Sequence, residues 1–447
     1  MKSNKFEKGQ AIIMVAFAII VLIGFAALAI DGGRVLSDRR HAQNAADTAA
    51  FAAALAKIQN ENYTDAGKNR AGTNGYDDNG TSNVVEVHLC SDTGITCNLQ
   101  LQTGEVASDY IQVKITSHVQ TIFARVLGIQ QLTNRVQAVA KAKPPVVTSW
   151  FDGKAMVSTM KGCKGDNGDP NIPFVVGGNG TTVVNNSGIF VNSSCPAAFV
   201  DNGGSNLVTT DPGHGVCIVG GIGGSVNGVT PPPVGNCGTQ RNIEDYTLPE
   251  PDAYCADPGS ITDMGGYYEA TPGYFNMSGN QTFPDVSPSG KLYLHKGVYC
   301  LYNGISLNGN WEITTDLNDN DTHDSATEGI LFYVPDGDVT FNGGSTMEIH
   351  AIDSADYPVS IQKYLFYIPP ANDAVVNITG NNGSTFTGTI LAPTSHCTIS
   401  GSGNTIGLDT QLVCYDSTIT GGGYINITYT EANNGTTLKK PTIKLEQ

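Results

Sequence analysis

The chain contains 447 residues, a length sufficient for two or three domains, and its formal net charge of −17 is concentrated in one part of the sequence. Residues 1–145 carry 14 Lys and Arg against 12 Asp and Glu, whereas residues 146–447 carry 10 against 29. Arg241 is the only arginine beyond residue 145, so the acidic part lacks the guanidinium groups of a phosphate-binding surface, and nucleic acid is excluded as an expected partner.

The first predicted element is a membrane-spanning helix from Ala11 through Ile20 to Ile30, a segment without a single charge. A hydrocarbon layer about 30 Å thick requires about 20 apolar residues in helical conformation, and this segment has that length. The alternative interpretation is a cleaved secretory signal, because residues 27–29 (ALA) have the small-x-small pattern of a cleavage site. The segment is longer than the about 7–15 apolar residues of a typical signal, which favours an uncleaved single-span anchor in the lipid bilayer.

The orientation of the anchor is predicted from the size and cysteine content of the chain beyond it, because the positive charges on its two sides are balanced. Long domains translocate largely regardless of charge, and disulfides persist in oxidising compartments, so the bulk of the chain is expected outside the cell membrane, at the cell surface. Cys90 and Cys97 flank a short turn and are the easiest pair to assign, while the sequence leaves the other pairings open. The ten disulfide candidates are Cys90, Cys97, Cys163, Cys195, Cys217, Cys237, Cys255, Cys300, Cys397 and Cys414.

An Ala-rich stalk and a small head are predicted after the span. Residues 35–57 contain no Gly or Pro, so the helix of domain 1–58 should continue as a stalk, and the Ala face of residues 45–56 would let partner helices approach closely. Residues 59–145 should form a small α/β head: alternation at 111–115 predicts a half-buried strand, and residues 123–127 have helical spacing before a stop at Gly128. A further strand is predicted at 136–140.

Residues 146–430 are rich in Gly, Asn, Thr and Ser and contain an internal repeat. The sequence VNITG at 376–380 recurs as CTISG at 397–401 and as STITG at 417–421, with looser copies at 305–309 and 339–343. A period of about 20 residues that holds a short strand and has no room for a helix predicts a right-handed parallel β-helix, in which Ile378, Ile399 and Ile419 stack. A β-sandwich is the alternative, but it gives no reason for a repeated residue order.

Two less regular segments complete the predicted organisation. Residues 229–265, which include three consecutive prolines, should cross from an early coil to a later one, and residues 431–447 should form a polar C-terminal tail. The predicted fold class is therefore mainly β, with an N-terminal transmembrane α-helix, a small α/β head and a parallel β-helix.

The residues that could carry chemistry favour a structural or binding protein over an enzyme. The eight histidines do not cluster, no G-x-S-x-G motif occurs, and no catalytic residue is assigned. A cluster of carboxylates could serve a glycosidase, although a solvated loop is the favoured interpretation; it comprises Asp316, Asp319, Asp321, Asp324 and Glu328. A cell-surface carbohydrate-active enzyme on the same anchor is therefore the alternative function.

Calcium is the one cofactor candidate. Asp316, Asn318 and Asn320 offer oxygen atoms at alternating positions, as a calcium loop does. Asp321 and Thr327 stand where such a loop has Gly and Glu, so the match is incomplete and no other metal or cofactor is expected.

Four short motifs give the N-terminal part a family resemblance. The sequences KGQA at 8–11, AIDGGR at 29–34, QNAADTAA at 43–50 and FARVLGI at 123–129 resemble TadE/TadG-like proteins of Flp (tight-adherence) pilus systems. The Gly/Asn-rich part is similar to β-solenoid regions joined to such anchors, through FVNSSC at 190–195 and GTILAP at 388–393.

The resemblance implies a membrane-anchored, surface-exposed component of pilus assembly or adhesion. Its partners would be Tad/Flp pilus-assembly proteins, with surface glycans or host and abiotic surfaces as candidate ligands. Prepilin-type processing would cut after Gly9, and Met14 stands where the processed form usually has Glu, so an assembly-associated role is expected rather than polymerisation as a pilin.

Overall fold

The computed structural model describes residues 10–97, 99, 101, 105–163, 172–211, 213–277, 281–317, 324, 327–342, 344–380, 383–401 and 406–446. The chain is mainly β, with one long apolar helix near its N-terminus. It divides into two compact units, each of which is described by itself. Unit 1 comprises Met1–Val146 and Lys440–Gln447, and unit 2 comprises Val147–Lys439.

The helices are α1 (Gln10–Ile58) and α2 (Tyr63–Thr73). The first strands are β1 (Asn83–Leu89), β2 (Tyr110–Gln120), β3 (Gln131–Lys143), β4 (Val146–Ser149), β5 (Met156–Ser158), β6 (Phe174–Val176), β7 (Thr181–Asn185), β8 (Ile189–Val191), β9 (Phe199–Asp201), β10 (Asn206–Thr209), β11 (Val216–Ile218), β12 (Ile222–Gly223) and β13 (Val229–Thr230). Next come β14 (Ser260–Asp263), β15 (Tyr268–Thr271), β16 (Gly273–Phe275), β17 (Lys291–Leu294), β18 (Gly297–Leu301), β19 (Ile305–Leu307), β20 (Glu312–Thr314), β21 (Ile330–Tyr333), β22 (Val339–Phe341), β23 (Thr346–His350), β24 (Tyr364–Tyr367), β25 (Val375–Gly380) and β26 (Thr385–Thr387). The last are β27 (Thr389–Gly401), β28 (Ile406–Asp409), β29 (Leu412–Gly421), β30 (Tyr424–Thr428), β31 (Thr436–Lys439) and β32 (Thr442–Glu446).

Unit 1 packs the second half of α1 against an antiparallel sheet in the order β1-β2-β3-β32. The strands predicted at 111–115 and 136–140 are confirmed within β2 and β3. The helix predicted at 123–127 is a single 3₁₀ turn, Ala124–Leu127, and the predicted stop is confirmed, because Gly128 adopts a left-handed conformation with φ of 87°.

The Ala face of α1 is occupied by the chain's own sheet, so the prediction that it packs against partner helices is wrong. Seven alanines of this face are 0–1% exposed, namely Ala42, Ala45, Ala46, Ala49, Ala50, Ala53 and Ala54. They contact a β-branched surface that includes Val113 and Ile115 of β2 and Val136 of β3. Small side chains permit the helix to lie close to the sheet, and the sequence alone does not tell an internal partner from an external one.

The prediction of a polar C-terminal tail is also wrong. Residues 436–439 form β31, which pairs with β4, and residues 442–446 form β32, which pairs antiparallel with β3. Ile443 and Leu445 pack against the core of unit 1. Unit 2 is consequently an insertion between two neighbouring strands of the head sheet.

Apart from the pair β4 and β31, the strands of unit 2 form three ladders in which most neighbours are parallel. One ladder has the order β11-β8-β5-β29-β27-β24-β21-β18-β16, and a second has the order β12-β9-β6-β29-β27-β25-β22-β19. The long strands β27 and β29 belong to both, because each shifts register partway along its length. The third ladder is β13-β10-β7-β30-β28-β26-β23-β20-β17-β15-β14, in which only the edge pair β14 and β15 is antiparallel.

The predicted repeat forms a column of stacked strands. Ile378 is paired with Ile399, and Ile399 with Ile419, at 1–2% exposure, so the predicted interior stack is confirmed. The looser copies join the same column, since Leu307 pairs with Phe341 and Phe341 with Ile378. At the last copy of the repeat the glycine is required by close approach, because a Cβ atom on Gly421 would lie 2.4 Å from the carbonyl oxygen of Gly401.

The strands of unit 2 do not follow chain order along the ladders. The early strands β5 to β13 stack on one side of β29 and β30, and the later strands from β14 onward begin at the opposite edge and proceed back towards β29. Residues 231–259, between β13 and β14, therefore run from one edge of the third ladder to the other. This confirms the predicted crossing, and we call these residues the crossover segment.

The crossover segment is fixed to the first ladder at both ends by disulfides, Cys217–Cys237 and Cys255–Cys300. Between them Tyr246 packs on Trp150 and Phe151, with ring centroids 5.1 and 5.4 Å apart. The strands of this ladder are buried on both faces, which explains why ILFY at 330–333 and YLFY at 364–367 are continuous apolar runs rather than alternating ones.

Candidate functional site

The N-terminal part of α1 is an exposed apolar helix. Within the part of the chain that the structure describes, one helix, Ile12–Ile58, is long and apolar enough to cross a membrane. Ile20 and Ile30 of the predicted anchor are 65% and 46% exposed, and Ala11 lies in the helix. Apolar side chains that are exposed to this extent in a compact protein indicate a contact with lipid or with another protein.

Asp31 follows the apolar segment directly and binds a loop of the head. Its carboxylate accepts hydrogen bonds from the backbone N–H groups of Ile122, Phe123 and Ala124, at 2.9, 3.0 and 2.7 Å. Asp31 is 4% exposed. This contact holds the loop between β2 and β3 beside the end of the predicted span.

Asp38, two turns further along the helix, joins α1 to three other parts of the head. The Tyr76 hydroxyl donates to its main-chain oxygen at 3.0 Å and to its carboxylate at 3.1 Å, and Ser117 of β2 donates to the carboxylate at 2.5 Å. Asn134 of β3 donates to the carboxylate at 2.7 Å and to the Val35 carbonyl at 3.0 Å. Burial and the Asp38 charge raise the pKa of the Tyr76 hydroxyl, so it stays protonated and remains a donor.

Replacing Asp38 by Ala is expected to destabilise the head by about 2–4 kcal/mol, because the donors on Ser117 and Asn134 lose a charged acceptor. Asp47→Ala is the matched control, since the Asp47 carboxylate accepts from Gln43 on the same helix at 2.8 Å. We expect amide hydrogen exchange of β2 and β3 to accelerate strongly in the first variant and little in the second. Equal acceleration in both variants would show that the Asp38 contacts are not what fixes the helix to the sheet.

Two concave surfaces formed by described residues have the size of small-molecule sites. One, of about 570 Å³ on the head, is lined by Arg39, Lys114 and Arg135 together with Glu86. The other, of about 480 Å³ on the third ladder of unit 2, is lined by residues that include Trp311, Glu312 and Glu348.

The second surface brings together two carboxylates that were not singled out from the sequence. Glu312 of β20 and Glu348 of β23 lie on neighbouring strands, and the Glu312 carboxylate is 3.0 Å from the Lys291 ammonium group. Each glutamate follows a looser copy of the repeat, at 305–309 and at 339–343, but this position becomes informative only when the register of β20 and β23 is known. The alternative of a carbohydrate-active enzyme stays a prediction.

The predicted calcium site falls largely outside the described residues. Asp316 is 4% exposed and its backbone N–H donates to the Thr314 hydroxyl at 2.9 Å, whereas Asn318 and Asn320 lie outside the described residues, as do Asp319 and Asp321. The backbone N–H of Asp324 donates to the Glu328 carboxylate at 2.7 Å. Among the residues that the structure describes, no group of three His, Cys, Asp or Glu side chains could hold a metal ion. Calcium binding stays a prediction.

All ten cysteines are paired in five disulfides. The assignment of Cys90 to Cys97 is confirmed. The pairs that the sequence left open are Cys163–Cys195, Cys217–Cys237, Cys255–Cys300 and Cys397–Cys414.

Histidines of unit 2 pair with single carboxylates. His396 contacts Asp416 on the neighbouring strand at 2.7 Å, and His295 contacts Glu269 at 3.2 Å. Burial raises the pKa of the Asp416 carboxyl, and the His396 ring opposes this shift. His396 and Asp416 are register partners in β27 and β29, so their contact joins two adjacent strands.

A comparison with known protein families finds a match in the segment that carries Asp31 and Asp38. A family model described as putative Flp pilus-assembly TadE/G-like matches residues 9–56. Residues 9–56 are TadE/G-like. The match covers the apolar part of α1 and almost all of its Ala-rich part, and it links this segment to Flp pilus assembly. No curated protein and no solved structure matches the chain.

Sequence reasoning missed the roles of Asp31 and Asp38, although a signal was present. The two residues are seven positions apart, so they lie on the same side of a helix, and they face the same direction as the buried Ala42, Ala45 and Ala49. Acidic residues in line with a small-residue core face indicate buried hydrogen bonds to the packed sheet.

Proposed function

We propose that the chain is a single-span, membrane-anchored component of Flp/Tad-type pilus assembly or adhesion at the cell surface, with a structural or binding role rather than a catalytic one. The observation that carries the proposal is the coincidence of the TadE/G-like match with the exposed apolar helix that continues into a folded head. In this proposal residues 11–30 span the bilayer and partner proteins of the pilus-assembly machinery recognise the head.

The extracytoplasmic position of unit 2 is supported by its disulfides. Four of the five pairs lie in unit 2, and two of them fasten the crossover segment. Disulfides that fix a long irregular segment need an oxidising compartment to form and persist.

For unit 2 we propose a right-handed parallel β-helix that displays its outer faces for binding. The three ladders, the column of Ile378, Ile399 and Ile419, and the alternation of buried and half-buried residues in β25 and β27 support this architecture. The right-handed sense follows from the strong preference of connections between parallel strands. Polar rows on the outer faces, such as Asn377, Thr398 and Thr418, would suit a glycan or a solid surface.

Protease treatment of intact cells tests the orientation. Cells that express the full chain should release peptides from residues 147–439 before lysis, and deletion of residues 11–30 should move the protein from the membrane fraction to the soluble fraction. A salt wash is the control, because a span in the bilayer resists it and an electrostatic attachment does not. Peptides that appear only after lysis would contradict the proposed orientation, and release by salt alone would contradict the anchor.

A further inference from the structure

The loop between β2 and β3 exposes apolar side chains that the head does not use. We call residues 121–130 the interfacial loop. Its exposed members are Ile122, Phe123, Val126 and Ile129, at 54%, 39%, 87% and 46% exposure. A cluster of large apolar side chains at this exposure indicates a surface that is covered in the working protein.

The position of this loop relative to the predicted span is fixed by Asp31. The Asp31 carboxylate accepts three backbone hydrogen bonds from residues 122–124, and Asp31 is the first residue after Ile30. A span of residues 11–30 fills a hydrocarbon layer about 30 Å thick, so Asp31 lies at the level of the lipid headgroups. The interfacial loop therefore lies at the same level, beside the helix.

The loop is also held in one conformation before any contact with lipid. The Gly128 N–H donates to the Arg125 carbonyl at 3.0 Å, and the Ile129 N–H donates to the Ala124 carbonyl at 3.1 Å. The Thr121 hydroxyl donates to the Gln130 carbonyl at 3.1 Å, which joins the two ends of the loop. An ordered loop loses little conformational entropy when its apolar side chains enter another phase.

We propose that the interfacial loop is a second membrane contact, which places its apolar side chains in the interfacial region of the same bilayer that the anchor spans. Charge supports lipid as the occupant, because Arg125 is the only charged residue from 119 to 131 and an isolated cation suits anionic headgroups. With the span and the loop both in lipid, the head is held in a fixed orientation to the membrane surface. The inference rests on the proposed anchor.

Tryptophan quenching in nanodiscs tests this contact with the full chain. The native Trp150 and Trp311 are 0% and 5% exposed in unit 2 and supply a constant background. In nanodiscs, the added tryptophan of a Val126→Trp variant should emit at a shorter wavelength than a tryptophan that is exposed to water. It should lose about half of its added emission when the lipids carry bromine on their acyl chains, because an interfacial indole lies within reach of the bromine quencher.

Val106→Trp is the matched control for exposure. Val106 is 53% exposed in unit 1, in a segment that the Lys57 ammonium group binds through the Ser108 carbonyl. Lys57 lies 27 residues after Ile30 on the same helix, which places this segment about 40 Å from the bilayer. Its added emission should be insensitive to brominated lipids.

Leu28→Trp separates the failure of this inference from the failure of the anchor, since Leu28 is 70% exposed within the span. Quenching of the Leu28 and Val126 variants, with none at position 106, supports the loop contact. Quenching at position 28 without quenching at position 126 overturns the loop contact and leaves the anchor intact, and the loop would then be a surface for a partner protein. Absence of quenching at position 28 as well overturns both proposals.

Discussion

Replacing Ile399 by Asp is expected to lower the free energy of unfolding of unit 2 by more than about 4 kcal/mol, because the change places a carboxylate without a partner in the interior. Ile399 is 1% exposed and stands between Ile378 and Ile419 in the central column. Trp150 and Trp311 are the two tryptophans of the chain and both lie in unit 2, so denaturant unfolding followed by their fluorescence reports this unit alone.

Thr398→Asp is the control for the charge itself. Thr398 is the preceding residue of β27 and is half-buried on the outer face, in register with Asn377 and Thr418. This variant should change the stability by less than about 1 kcal/mol, as surface substitutions usually do. If both variants were equally destabilised, the side of the strand that faces the interior would have to be reassigned.

Replacing Cys255 and Cys300 together by Ser is expected to cost unit 2 about 4 kcal/mol in the chain-entropy estimate, because the disulfide closes a long loop. The two cysteines are 45 residues apart in sequence and join the end of the crossover segment to β18. Without this link, the contact of Tyr333 with Asp252, at 3.0 Å, would have to hold that end. We therefore expect faster proteolytic cleavage within residues 231–259 as well as a lower unfolding midpoint.

The matched control removes the disulfide of the head, Cys90–Cys97, whose sequence separation is 7. The same estimate gives about 2.5 kcal/mol for so short a loop, and the effect should be confined to unit 1. Tryptophan fluorescence of unit 2 should not detect it. Unchanged cleavage of the crossover segment in the Cys255/Cys300 variant would mean that packing of its aromatic side chains is sufficient to hold it.

Repetition made the strand column predictable from the sequence, and a run of prolines made the crossing predictable. The pattern at 376–380, 397–401 and 417–421 gives the register directly, because identical positions of a repeat occupy identical places in the stack. The three prolines after Val229 mark a segment that cannot continue a ladder, and the structure shows that segment passing between opposite edges. Local information was sufficient for both.

The order of the strands could not be predicted in the same way. Pairing of β29 with β5 and β6 joins positions more than 240 residues apart, and the sequences of these early strands are not copies of the repeat. The tail was misread because β32 is short and holds only two apolar residues, Ile443 and Leu445, among Thr, Lys and Glu. An edge strand that is buried on one side carries too little apolar periodicity to be recognised alone.

In the candidate site, features set by neighbouring residues could be predicted from the sequence, whereas contacts between distant residues could not. The exposed apolar helix was evident from composition, whereas the hydrogen bonds of Asp31 and Asp38 depend on residues more than 30 positions away. Alanine at 45–54 is compatible with an external or an internal partner, and only the position of β2 and β3 decides between them.

The insertion of unit 2 between β3 and β32 has a consequence for biogenesis. The ribosome completes β1, β2 and β3 early, but the outer strand of the head emerges only after the whole of unit 2 has been synthesised. Until then the edge of β3 has no neighbour, and its unpaired N–H and C=O groups are open to other chains. A nascent chain that stops within unit 2 should thus carry an incomplete head, so completion of the head sheet reports that unit 2 has been synthesised in full.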